Sequence, residues 1–252
     1  MSDIKIENLS FSYDRQIILQ NINFSYNIKD FLVIIGPNGG GKTTLLKLML
    51  GLLKPTTGLI KIFDKSPTKI TKDIGYVPQT FLVNQNFPMC ALDVVLMGII
   101  DKKTFGFYTK EQKKLAMNAL SKVKMDKFFD TKIGDLSVGQ RQRVYIARAL
   151  CAKVKILMLD EPTASIDTKG QADIYNLLKH INSEGIGIIL ISHDLNLALA
   201  YASKVAYVSK TLFLHDISPE FSRQDFISHL AHNHDHFCDV EVALKSCSCF
   251  DK

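Results

Sequence analysis

The sequence predicts an α/β protein whose parallel-sheet core is interrupted by a helical lobe. Three observations carry this. Short, continuously apolar runs such as "FLVII" and "ILML" read as strands buried on both faces. A glycine-rich loop separates the first of these runs from a stretch of good helix formers. From about residue 80 to residue 152 the pattern changes to the spacing of amphipathic helices.

Taken in order, the first sixty residues are rich in β-like runs: "IKIEN", "INFSY", "FLVIIG" and "GLIKIF". "FLVII" leads into "GPNGGGKTT", and "LLKLMLGLL" follows, which makes strand, glycine loop, helix. In the middle region "ALDVVLMGIID", "KEQKKLAMNALSKVKM" and "GQRQRVYIARALC" each read as an amphipathic helix. Parallel-type strands return in "KILMLDEP", "GIGIILISH" and "KVAYVS", with the helical "KGQADIYNLLKHINSE" between the first two. The last thirty or so residues are polar and weakly patterned.

Bulk properties narrow the class. The chain has 252 residues and is 46% hydrophobic, enough for a substantial core. Its net charge of +6 suits an ordinary solvated surface as well as a polyanionic ligand, nucleic acid or an anionic membrane. The 5 cysteines do not form a disulfide framework for a chain of this length. "MSDIKIENLS" lacks the pattern of a signal peptide. No apolar run approaches the roughly 18 residues of a membrane helix. The expectation is a cytosolic protein with reduced thiols, for which any membrane crossing is done by another chain.

Two segments carry the chemistry. "GPNGGGKT", residues 36–43, satisfies G-x-x-x-x-G-K-S/T in the strand–loop–helix context the motif needs. Gly36, Pro37, Asn38, Gly39, Gly40 and Gly41 form a loop whose backbone N–H groups can curl around phosphate oxygens. The helix that follows, entered at Lys42, Thr43 and Thr44, offers its positive end to the same anion. Lys42 adds a mobile charge for the β and γ phosphates, and Thr43 a hydroxyl for Mg²⁺. "ILMLDEP" delivers Asp160 and Glu161 to the end of a buried strand. Alternation along a strand would send their side chains to opposite sides. Asp160 would then hold the Mg²⁺ shell, and Glu161 would orient or deprotonate an attacking water.

With these, "LSVGQRQRVYIARAL", residues 136–150, closely resembles the signature of the ATP-binding subunits of ABC transporters, over about residues 4–215. Other elements of that family stand in order. Tyr13 in "FSYD" matches the aromatic that stacks on adenine. Gln79 in "YVPQ" matches the glutamine that links the metal site to the transporter interface. Asp167 in "ASID" matches the loop that reaches across the dimer, and His193 in "LISHD" the γ-phosphate histidine. The resemblance implies a P-loop ATPase core with an antiparallel β subdomain and an inserted helical subdomain. It implies one domain over 1–215, with a nucleotide-binding core at 1–79 and 153–215, a helical lobe at 80–152, and a tail at 216–252. It implies ATP and Mg²⁺, with Thr43, Gln79 and Asp160 around the cation. It also implies a head-to-tail homodimer in which Ser137 and the backbone N–H groups of Gly139 and Gln140 cover the partner's ATP. Val138 stands where the family usually has glycine. A β-branched residue disfavours positive φ, so this position is expected to use ordinary backbone angles.

The absence of fused membrane helices, coiled-coil insertions and a second ATPase domain points to a separate importer subunit. Such a subunit is peripheral at the cytoplasmic face of the membrane. It serves a permease and, indirectly, a substrate-binding protein, and does not bind nucleic acid. The competing expectation is a soluble ABC ATPase of iron–sulfur cluster assembly. Phe81, Phe87, Pro88 and Met89 are the expected apolar socket for the permease, or else lobe core. "YASKVAYVSKTLFLH" resembles the zinc and manganese uptake branch. The tail "HLAHNHDHFC" fits that cargo: His232, His234, His236 and Cys238 alternate onto one side of an extended chain and are ligand types Zn²⁺ accepts. Short His-rich tails are also simply polar, and this spacing matches no recognised zinc module.

Overall fold

A computed structural model describes residues 2–79, 88–99 and 108–217. Strands β1 (Ile4–Tyr13), β2 (Gln16–Tyr26) and β4 (Thr57–Ile62) form an antiparallel sheet in the order β2-β1-β4. The second sheet contains β3 (Phe31–Ile35), β5 (Ile74–Val77), β6 (Ile156–Asp160), β7 (Gly187–Ile191), β8 (Lys204–Ser209) and β9 (Thr211–Asp216). Its order is β5-β6-β7-β3-β8-β9, parallel throughout except for the β8–β9 hairpin.

The continuous apolar runs are explained by what lies on each face. In β3, Phe31, Val33 and Ile35 face one core while Leu32 and Ile34 face the other. In β6 the split is Leu157 and Leu159 against Ile156 and Met158; in β7 it is Ile188 and Leu190 against Ile189 and Ile191. A strand covered on both faces has no polar side to write into its sequence.

One core lies between this sheet and the antiparallel sheet, together with helix α1 (Lys42–Met49). The other lies beneath the remaining helices: α2 (Ala91–Leu96), α3 (Lys110–Lys122), α4 (Val138–Cys151), α5 (Thr168–Ser183) and α6 (Leu195–Tyr201). Helices α2, α3 and α4 pack on one another as the helical lobe. Helix α3 opens on a capping box between Thr109 and Gln112, and α4 on another between Ser137 and Gln140. Among the described residues no helix is long and apolar enough to cross a membrane.

Topology places the chemistry. Strands β5, β6, β7 and β3 are consecutive neighbours in the sheet and run parallel. Gln79, then Asp160 and Glu161, then His193, then the glycine loop therefore emerge side by side at their C-terminal ends. That edge is where open parallel sheets bind ligands.

Candidate functional site

The glycine loop is shaped by its neighbours. Gly36 has φ 143°, and a Cβ there would meet the Val208 carbonyl oxygen at 2.1 Å, so the loop lies directly against β8. Gly41 caps α1 with φ 101° and supplies no side-chain cap, leaving the first-turn N–H groups to a ligand. Asn38 and Gly39 form the exposed tip. Lys42, the first residue of α1, is buried, and its Nζ donates to the carbonyls of Gly36 and Pro37, each at 2.9 Å. Burial pushes its pKa down, against the pull of the Glu161 and Asp160 charges.

Thr43 Oγ1 donates to Asp160 Oδ1 at 3.3 Å. Asp160 is only 2% exposed, and burial raises its carboxyl above the ordinary value, with the Thr43 hydrogen bond opposing and the Glu161 charge adding to the rise. Glu161 is not on the strand with it. It follows β6 in the left-handed region at φ 48°, so a backbone turn separates the two carboxylates, and the expected strand alternation does not apply. A non-glycine residue in that region costs on the order of 1–3 kcal/mol and persists where surroundings hold it. Here they do: Glu161 N donates to Ile191 O at 3.2 Å. Gln79 Nε2 donates to Glu161 Oε2 at 2.6 Å, and His193 Nε2 pairs with Oε1. Three strand ends thus converge on one carboxylate.

The site's oxygens fit a magnesium ion. Thr43 and Asp160 present hard oxygen donors at the head of α1. Among the described residues no group of three or more His, Cys, Asp or Glu side chains could hold a metal by itself. Thr43 and Asp160 leave the rest of a Mg²⁺ shell to phosphate oxygens and waters, which is how the ion is usually held.

The other expected residues lie apart from this hydrogen-bonded group. Tyr13 ends β1, is 46% exposed, and meets Phe11 edge-on at 4.8 Å between ring centroids, leaving its outer face open. Asp167 is the exposed N-cap residue of α5 and makes no side-chain cap bond. Ser137 caps α4: its Oγ accepts from Gln140 N at 3.3 Å, and its N donates to Gln140 Oε1 at 2.9 Å. The Gln140 N–H is therefore occupied, and the outward donors are the first-turn N–H groups of Val138 and Gly139. Val138 is the first residue of α4 and is absent from the positive-φ residues, so the replacement of glycine is unstrained. A Cβ at Gly139 would meet nothing within 4 Å.

Met89 packs against the helical core and Pro88 is exposed; Phe81 and Phe87 lie outside the described residues, as do His232, His234, His236 and Cys238. Sequence reasoning did not reach a cleft of 470 Å³ between the edge strand β5 and the lobe, lined by Ile74, Tyr76, Met97, Ile99 and Arg148. Nor did it reach the buried pair Tyr175–Ser192 behind His193. No motif signals either.

A strand, a phosphate loop with a buried lysine, and a neighbouring carboxylate strand define a P-loop nucleoside triphosphatase. The chain can be placed more narrowly. Residues 19–164 match the family model described as ABC transporter. The manganese transport system ATP-binding protein MntB of Halalkalibacterium halodurans is 38% identical over 210 residues, 83% of this chain and 84% of that protein. The zinc uptake system ATP-binding protein ZurA of Listeria innocua is 37% identical over 224 residues, 86% and 87% of the two chains. A dimeric ATP-binding cassette solved in a post-hydrolysis state with ADP and Pi superimposes with a TM-score of 0.72 at 30% identity, covering 85% of this chain and 99% of that one. The chain belongs to the ABC transporter family and is an ATP-binding ATPase cassette of that family.

Proposed function

We propose that this chain is the ATP-hydrolysing subunit of an importer that moves a divalent metal ion, zinc or manganese, through a separate membrane permease. It would act as a homodimer, peripheral at the cytoplasmic face of the membrane. The observation that carries the ATPase assignment is the convergence of Gln79 and His193 on Glu161, beside Lys42 and the Thr43–Asp160 pair. The manganese and zinc names of the relatives support the cargo.

Each residue has a role that its position allows. Tyr13 offers a ring face to the adenine. The loop N–H groups and Lys42 take the phosphates; Lys42 would exchange its two carbonyl acceptors for phosphate oxygens of opposite charge. Thr43, Asp160 and the Oε1 of Gln79 would hold Mg²⁺, which neutralises phosphate charge when bound. Glu161 is the base for the attacking water, and Gln79 and His193 hold its carboxylate in one orientation. On the partner subunit, Ser137 Oγ–H, the N–H groups of Val138 and Gly139 and the Gln140 amide would cover the γ-phosphate, because the capping box turns acceptors inward and leaves donors outward. Asp167 would face the same junction. The cleft beside β5, with Met97 45% exposed at its rim, is the surface offered to the permease.

Glu161→Gln tests this. Loss of a base is worth about 10²–10⁴ in rate. The variant should bind ATP normally, hydrolyse it at least about a hundredfold more slowly, and form an ATP-dependent dimer that outlives that of the wild type in size-exclusion chromatography. Equal dimer lifetimes would remove Glu161 from hydrolysis. Purification with its neighbours should give a detergent-dependent complex; a purely soluble complex would overturn the transport assignment.

A further inference from the structure

We infer that Tyr175 is a positioning residue for hydrolysis: its buried hydroxyl, acting through Ser192, sets the turn that presents His193 to Glu161. This rests on the proposed role of the Glu161–His193 pair. Tyr175 lies in α5, is 0% exposed, and its hydroxyl donates to Ser192 Oγ at 2.8 Å. Burial pushes the phenol up to about 12, so the hydroxyl keeps its proton and stays a donor. Ser192, itself 4% exposed, immediately precedes His193.

The turn around His193 is held at every other point by hydrogen bonds. Ile191 O accepts from Glu161 N, which ties the two reacting strand ends together. Ser192 N donates to Ile34 O, next to the strand end that enters the glycine loop. Asp194 N donates to Ser192 Oγ at 3.0 Å, and Asp194 Oδ1 caps α6 by accepting from Leu197 N at 3.0 Å. Ser192 Oγ is the shared acceptor of this set. Without the phenol, its rotamer is left to the Asp194 N–H alone. His193 itself is exposed and is paired with Glu161 through Nε2, so the backbone that carries its ring to that contact is set by the residues on either side. The Tyr175 ring is fixed independently, stacked on Phe31 at 6.4 Å between centroids and tilted against Tyr201 at 5.2 Å. Only the oxygen is in question, and Tyr175→Phe removes it while keeping both ring contacts.

The expected result for the Tyr175→Phe homodimer is a kcat about three- to tenfold lower, with KM for ATP unchanged, since a small displacement of a reacting group lowers rate without touching the binding loop. Ser192→Ala should reproduce the loss and Ser192→Thr restore it. Ser192→Ala also removes the acceptor of the Asp194 N–H, so the Tyr175→Phe, Ser192→Ala double variant should be no slower than Ser192→Ala alone, because the phenol bond cannot be removed twice. The His193 imidazole resonance, assigned by comparison with His193→Gln, should shift in Tyr175→Phe. Unchanged kcat, losses that multiply, or an unmoved His193 resonance would overturn the inference. Should the wild type itself fail to hydrolyse ATP, the proposed function falls, and the resonance still reports whether Tyr175 positions His193.

Discussion

Gly139→Ala separates what the subunit needs alone from what it needs in a pair. In the single subunit a methyl at residue 139 meets no atom within 4 Å, and the residue sits in the first turn of α4 with no positive φ. Alanine is the better helix former by up to about 1 kcal/mol and also narrows the unfolded ensemble; in a first turn the gain is about 0.5–1 kcal/mol. For a domain of this size that raises Tm by about 1–4 °C. In the proposed dimer the same face is closed by the partner's γ-phosphate. A methyl there holds the phosphate off the Val138 and Gly139 N–H groups, and two charge-assisted hydrogen bonds of about 1.5–3 kcal/mol each are weakened. Even the lower figure for both is about 3 kcal/mol, or roughly a hundredfold in rate. The expected triad is a higher melting temperature, unchanged ATP affinity by titration calorimetry, and hydrolysis down at least about a hundredfold. An ATP-dependent dimer should also be missing when the change is combined with Glu161→Gln. Hydrolysis within about threefold of wild type, under half a decade, would refute the closing role of this turn. So would a loss of ATP affinity in the single subunit.

Two further outcomes test the nucleotide site. The folded pKa of Asp160 is raised, so its ionised form costs stability; that cost is absent below the unfolded value of about 3.9 and grows as pH rises through the folded one. Asp160→Asn keeps an acceptor for Thr43, so it should melt above wild type at pH 8, with the advantage shrinking toward pH 4. An advantage independent of pH, followed by fluorescence melts, would sink that assignment. At Gly36 an added Cβ lies 2.1 Å from the Val208 carbonyl oxygen, so Gly36→Ala must move the loop by about 1 Å, and a loss of ATP affinity of the order of a hundredfold is expected. Gly39→Ala meets nothing within 4 Å but carries a left-handed φ of 77°, so it shares the backbone strain of about 1–2 kcal/mol without the clash and should lose less; equal affinities for the two variants would show that the close packing against β8 is irrelevant.

What could be read from the sequence follows from what each residue faces. "FLVII", "ILMLD" and "GIILI" announced themselves because both faces of each strand are covered. Strand β5 did not: "IGYV" is four residues long, pairs only with β6 at the sheet edge, and leaves Tyr76 partly exposed, so it carries no run to detect. Strand β9, with partly exposed positions along its middle, and the short helix α6 were missed for the same reason. The order β5-β6-β7-β3 joins strands far apart in the chain, so nothing local says that Gln79, Glu161 and His193 meet. Only the family resemblance brought them together. The resemblance also described Gln140 as a backbone donor, which its capping box with Ser137 occupies. Tyr175 looks in sequence like any core aromatic on an amphipathic helix; where its hydroxyl goes depends on the fold.

The site's own hydrogen bonds show why nucleotide should also stabilise the subunit. Every charged group has an internal partner: Lys42 two carbonyls, Asp160 the Thr43 hydroxyl, Glu161 the Gln79 amide and the His193 ring. Those partners satisfy hydrogen bonds, but carbonyls and a hydroxyl carry no net charge, and burial disfavours the ionised forms of Lys42 and Asp160. A triphosphate answers the first with negative charge, and its accompanying cation answers the second with positive charge. Ligand binding thus relieves two penalties at once, which lowers Kd, and at a hundredfold excess over Kd the folded subunit gains about 2.7 kcal/mol in all. The left-handed backbone at Glu161 adds strain that the Ile191, Ala164, Gln79 and His193 contacts restrain. The carboxylate proposed as the base is held by Gln79 and His193, contacts that the nucleotide does not have to make.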